Sequence, residues 1–192
     1  MESNLSMAFA WDRPPCVPCR EGNKSARPLY EAIGRAVSNW EGVEVASLVL
    51  FKSLVSDDTR IDRYAKTFKI RERARQLTEA VDECTMLRQM LAREAHDLIA
   101  AYQGWSERRN DLAHGYVTPM WSPDYSKDDA PTVKTFSLCP SHTNPSKWRN
   151  AEPIYNLNAS EVRAFAKDFA LLDKQFQSLA ARISAITGIA PT

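Results

Sequence analysis

The stretch from Val162 to Ile186 leaves the chain little freedom, because Val162, Phe165, Phe169, Leu172, Phe176, Leu179, Ile183 and Ile186 recur at steps of three and four residues. That period marks one face of an α-helix. An apolar stripe this long must be covered, and the natural cover is other helices. Asn158 and Ser160 are cap candidates at its start, and Gly188 is the stop. The same period recurs upstream. Tyr30, Ile33, Val37, Trp40, Leu48, Phe51 and Val55 predict a first long helix, with Ser25 and Pro28 as its start signal. A second helix is expected from Thr59 into the eighties. A third is expected from Leu91 to Ala113, through Leu98, Tyr102, Trp105 and Leu112, and is ended by a left-handed turn at Gly115. No Gly or Pro separates these two, so they read either as two helices or as one bent one. Residues 116 to 157 hold six prolines and two short extended runs, "TVKTFSL" and "EPIYNL". The expected fold class is all-α: an antiparallel bundle of four to five helices with a loop and β-hairpin insert before the last helix. Residues 1–25 are read as an N-terminal extension, and 26–192 as one helical domain with the insert at 117–157.

Composition narrows the function. A chain of 192 residues, 44% hydrophobic, 26% charged and of net charge +1, has no general attraction for polyanions. Any nucleic-acid contact must come from a local patch. "RIDRYAKTFKIRERAR", residues 60 to 75, is such a patch, since seven Lys and Arg face only Asp62 and Glu72. Arg63, Lys66, Lys69 and Arg71 are its candidate RNA-binding residues, with a solvated helix face as the alternative. No apolar run approaches the roughly 20 residues of a membrane span. The first residues lack a signal peptide's basic start and long apolar middle, so the cytoplasm is the expected location. The cysteines allow one metal site. Cys16 with Cys19 ("CVPC") and Cys139 with His142 ("CPSH") could form a structural zinc site between two Pro-rich loops, with free thiols as the alternative. No other cofactor is implied.

Two charges interrupt the apolar stripes. Continuing the third helix from Leu98, Tyr102 and Trp105 lands on Arg109, and the first helix's stripe passes through Glu44 with Glu41 one turn before it. A charge taken out of water needs a partner. The expectation is therefore that Arg109 is partly buried and meets Glu44 or Glu41, so that Arg109→Ala lowers stability. His114 follows Arg109 after four residues. At about 100° per residue the two lie about 140° apart on a regular helix, so their convergence requires the helix to end there. Histidine titrates near neutrality and arginine binds phosphate in a bidentate fashion; together they supply an acid/base and a cation for metal-free phosphodiester cleavage. Asn110 adds an amide that can orient either group.

"RRNDLAHGY" resembles the signature of the HEPN superfamily: an arginine, four to six residues, then a histidine, commonly with a polar residue directly after the arginine. Arg109, Asn110 and His114 match it residue by residue, and Arg108, with five intervening residues, is a second alignment. The layout is similar too. "NWEGVE" lies on the first helix, the motif closes a middle helix, and a final helix follows a variable insert. Residues 1 to 25 and most of 117 to 157 stay outside the resemblance.

The resemblance implies a homodimeric, metal-independent endoribonuclease, with the motif helices of two subunits forming one composite site. His114 would be the acid/base, Arg109 the phosphate clamp, Asn110 the orienting residue, and Glu44 a partner to Arg109 or part of the proton network. Members paired with a nucleotidyltransferase antitoxin carry a modified tyrosine two residues after the histidine. Tyr116 occupies that position, which raises a toxin–antitoxin pairing beside the simpler role of a core or hairpin tyrosine. Many HEPN-like domains are instead binding or scaffold modules, which leaves RNA, a nucleotide or a protein as the alternative partner.

Overall fold

The computed structural model describes residues 22–87, 89–122, 132–149 and 152–189. Among them are five α-helices: α1 (Arg27–Leu54), α2 (Asp58–Ala65), α3 (Ile70–Glu83), α4 (Gln89–His114) and α5 (Ala159–Thr187). Strands β1 (Tyr116–Ser122) and β2 (Thr132–Cys139) form an antiparallel pair between α4 and α5, and β3 (Trp148–Arg149) with β4 (Glu152–Pro153) forms a second, minimal one. The fold is thus mostly helical with a strand insert, and no helix among the described residues is long and apolar enough to cross a membrane. The N-terminal extension lies mostly outside the described residues.

The chain divides into two compact units, and the division falls within the three long helices. One comprises Met1–Ser38 with Arg108–Lys167, and the other Asn39–Glu107 with Asp168–Thr192.

In the second unit an aromatic core joins α1, α4 and α5. Trp40 stacks on Tyr102 at 5.5 Å and meets the edge of Phe169, while Trp105 and Phe176 close the cluster edge-on. Trp40 meets Phe169 at one end, and Thr187 donates to the Ser53 carbonyl at the other, so α1 and α5 run in the same direction. Tyr102 against Phe176 and Glu94 against Arg182 show α4 antiparallel to α5. The buried face of α1 is offset by one residue at its start from the expected stripe. Leu29 is buried, whereas Tyr30 is 60% exposed.

The expected second helix is broken. It ends at Ala65 and resumes at Ile70 without Gly or Pro, because Arg73 takes up the carbonyls that the break frees. Its Nε donates to the Thr67 carbonyl at 2.5 Å and its Nη2 to that of Ala65 at 3.5 Å. Its Nη1 forms an ion pair with Glu44, and the guanidinium lies 5.6 Å over the Tyr64 ring. Glu44 also accepts from Trp40 Nε1 at 2.8 Å and from the Tyr102 hydroxyl at 3.2 Å. The cation that neutralises Glu44 is therefore Arg73, contributed by α3, where the sequence pointed to Arg109. A turn from Cys84 to Leu87 then separates α3 from α4, so these are two helices and not one bent helix.

In the first unit β2 is central. It pairs with β1 from Tyr116 opposite Cys139 to Ser122 opposite Thr132, and its other edge is bridged by Asn23 and Leu157. "TVKTFSL" is thus a strand as read; its hairpin partner is the run from Tyr116, and "EPIYNL" meets its other edge at Leu157. The start of α5 is a reciprocal cap. Asn158 Oδ1 accepts from the amides of Ser160 and Glu161, and Glu161 returns a bond to the Asn158 amide at 2.9 Å. Its end is Gly188, left-handed at φ 71°, as the sequence indicated.

Arg73→Ala is expected to destabilise the protein by about 2–4 kcal/mol in urea unfolding. That is somewhat under the cost of breaking a fully buried pair, because both side chains keep a little solvent access. Glu44→Gln keeps the Trp40 and Tyr102 donors in reach and should cost less. Equal stability of wild type and Arg73→Ala would remove Arg73 as Glu44's partner.

Candidate functional site

The last two turns of α4 carry two consecutive arginines with different surroundings. Arg108 is buried at 2% exposure, Arg109 is half-buried. The charge on this helix that needed a partner out of water is therefore chiefly Arg108, one residue before the position that the stripe indicated. A step of three from Trp105 reaches Arg108 and a step of four reaches Arg109, and both are helical neighbours. Arg108 Nη2 lies 3.1 Å from the Asp111 carboxylate, which is also buried, and Lys147 Nζ stands 3.4 Å from its other oxygen. Tyr155 donates to the Asp111 backbone carbonyl at 3.1 Å, and burial, with the nearby Asp111 charge, raises the pKa of that phenol. The insert thus supplies Lys147 and Tyr155 to hold this side of the helix end.

The other side faces solvent. Asn110 and His114 are exposed, one helical turn apart, and Arg109 Nη1 donates to Asn110 Oδ1 at 3.2 Å. The helix stays regular through His114, since the Gly115 amide still bonds the Asp111 carbonyl at 2.9 Å. Gly115 is not left-handed, which corrects the left-handed turn expected there. A glycine stands here because a Cβ would lie 2.8 Å from Leu138 Cδ1 and within 3.0 Å of the Asp111 and Cys139 carbonyl oxygens. The close approach of β2 to the helix end, not a turn conformation, excludes a side chain. Arg109 and His114 accordingly remain on different faces of one regular helix, with Asn110 between them in sequence.

Tyr116 opens β1, and its hydroxyl is hydrogen-bonded to His142 Nε2. The His142 ring stacks on Trp148 at 4.4 Å, and Trp148 Nε1 donates to the Ser141 carbonyl at 3.1 Å. Partial burial raises the Tyr116 pKa, the largest cause being desolvation. Sequence reasoning treated Tyr116 and His142 separately; their contact spans 26 residues and left no local signal. Asp111, Lys147 and Tyr155 were missed for the same reason.

Of the zinc candidates, Cys16 and Cys19 lie outside the described residues. Cys139 is buried and desolvation pushes its thiol up to about 12, while His142 directs Nε2 at Tyr116. A thiolate ligand would have to overcome that burial. Among the described residues, no group of three or more His, Cys, Asp or Glu side chains could hold a metal ion.

Glu44 belongs to the second unit, where it is held by Arg73, Trp40 and Tyr102. Of the candidate RNA-binding residues, Lys66 pairs with Asp62 at 3.0 Å on the surface, and Arg63, Lys69 and Arg71 are exposed. No protein-family model matches the chain, and neither does any curated protein or solved structure.

Two outcomes follow from this geometry. Gly115→Ala should lower stability by about 1–3 kcal/mol in urea unfolding, since the added methyl must displace backbone and not a flexible side chain. Alkylation of the native protein at pH 8 should modify the partly exposed Cys84 and spare Cys139, as read by peptide mass spectrometry. Rapid native labelling of Cys139 would contradict the buried thiol.

Proposed function

We propose that the protein is a metal-independent endoribonuclease of the HEPN type, acting as a homodimer. The observation that supports this reading best is the pairing of Arg109 with Asn110 on the accessible side of a helix end that also carries an exposed His114. The buried Arg108, Asp111 and Lys147 set behind it gives that surface a fixed backing. In the reaction, an RNA 2′-hydroxyl attacks the adjacent phosphorus. Its proton passes to a base, and the 5′-oxygen leaves with a proton from an acid. The products are a 2′,3′-cyclic phosphate and a 5′-hydroxyl. His114 serves as acid/base, Arg109 stabilises the added charge of the transition state, and Asn110 orients Arg109.

The divergence of Arg109 and His114 on one regular helix favours a composite site, in which Arg109 of one subunit serves phosphate beside His114 of the other. The biological setting is a defence or toxin–antitoxin system with an antitoxin or nucleotidyltransferase as partner. Tyr116, hydrogen-bonded to His142, is the candidate modification site. The same divergence also favours a second reading, a non-catalytic module that binds RNA, a nucleotide or a protein partner, since a single chain does not bring the two groups together.

End-labelled single-stranded RNA incubated in EDTA should be cut by wild type and not by His114→Ala, leaving cyclic phosphate ends. His114 is exposed, so the variant should melt with wild type. Cleavage by both proteins would exclude His114 as acid/base, and cleavage by neither favours the binding module. Arg109→Ala should reduce cleavage by about 100-fold or more while destabilising less than Arg108→Ala, which leaves the buried Asp111 without its nearest cation. Mixing Arg109→Ala with His114→Ala should restore part of the activity if the site is shared between subunits.

A further inference from the structure

Between α2 and α3 the chain crosses in four residues, Lys66 to Lys69, and Phe68 there is 93% exposed, more than any other large apolar side chain among the described residues. Full exposure forgoes the stabilisation that burying the ring would give. The backbone before it is pinned. The Thr67 hydroxyl donates to the Arg63 carbonyl at 2.8 Å and accepts from Gln76 Nε2 at 3.2 Å, and Arg73 holds the Thr67 carbonyl. Phe68 is thus presented outward next to an anchored residue.

The charges around it are unevenly committed. Of the seven cations in residues 60 to 75, Arg60 pairs with Glu83, Lys66 with Asp62, Arg73 with Glu44, and Arg75 with Glu72 and Glu79. Arg63, Lys69 and Arg71, all within five residues of Phe68, are exposed and form no ion pair among the described residues.

We infer that the α2–α3 turn is a binding site for single-stranded nucleic acid, in which Phe68 stacks on one unpaired base and Arg63, Lys69 and Arg71 take the flanking phosphates. An aromatic ring beside uncommitted cations is the combination that holds a single strand without reading its sequence. A duplex hides its base faces and would leave Phe68 unused. A bilayer surface would use a wider apolar face, whereas here Phe68 stands alone. Tyr64 is fully buried, and Ile61 and Ile70 are half-buried.

The test reads binding and is separate from cleavage. A fluorescein-labelled single-stranded oligodeoxynucleotide lacks the 2′-hydroxyl, so it cannot be cut by the proposed reaction. It should bind wild type by anisotropy, and more tightly than the matching duplex. Phe68→Ala should weaken binding by roughly tenfold, in line with the loss of one stacked base. The triple variant Arg63→Gln, Lys69→Gln, Arg71→Gln should lower the slope of log affinity against log salt by about 2. Thermal melts should match wild type, since all four side chains are exposed. The inference is overturned if wild type does not bind the oligonucleotide, if the duplex binds as well, or if Phe68→Ala binds equally. It is also overturned if the residues prove to matter only for sedimentation with phosphatidylserine vesicles.

Discussion

A carboxylate beside an aromatic core is the constraint on which the helical part of this protein depends. Glu44 sits one position from the buried Val43 and has only a small share of its surface in water. Left unpaired there, it would cost several kcal/mol. Three donors remove that cost: Trp40 from the turn before it, Tyr102 from α4 and Arg73 from α3. Sliding any of these helices by a turn would break at least one of those bonds and separate Trp40 from its stacked partner Tyr102. Arg73 has a second duty, since its remaining nitrogens bond the carbonyls of Ala65 and Thr67. One guanidinium therefore neutralises the core charge and closes the end of α2. The turn that carries Phe68 is thus a consequence of how Glu44 is satisfied.

The end of α4 solves a different problem with similar means. Arg108 and Arg109 are consecutive, but a helix turns about 100° per residue, so they leave the axis in different directions. Arg108 goes inward to Asp111, with Lys147 completing a set of two cations around one carboxylate. Arg109 bonds Asn110, which lies one turn from the exposed His114. The inward set holds the backbone behind the exposed Asn110 and His114. Gly115 makes the arrangement possible by letting β2 approach where any side chain would collide. A site with its supporting charges buried behind it can keep its exposed groups in place without strain in those groups themselves.

The sequence stated the need for a partner at Glu44 correctly but could not say which cation would meet it. A stripe reports which face of a helix is covered, and the nearest conspicuous charge on another stripe was Arg109. Arg73 lies on a short helix rich in charge, where one arginine among several has no distinguishing pattern. Arg109 is partly buried as expected, but Arg108 beside it is buried more fully, because steps of three and four are equally helical and only the covering insert breaks the tie. The sequence did not name the hairpin partner of "TVKTFSL", because the strand from Tyr116 follows the helix with only Gly115 between them. Of the zinc candidates, Cys16 and Cys19 lie outside the described residues, and Cys139 is a buried thiol.

Periodicity and capping chemistry by themselves determined the long helices, the Asn158 start of α5 with Gly188 at its end, and the placement of the motif at the close of α4. These are local, set by residues within one or two turns of one another. Tertiary structure decided which charges neutralise which, which of two adjacent arginines is buried, where the second helix breaks, and that Phe68 faces water. Each of these depends on groups brought together from distant parts of the chain, and the free energy of a buried charge or an exposed ring is set by those neighbours and not by its own place in the sequence.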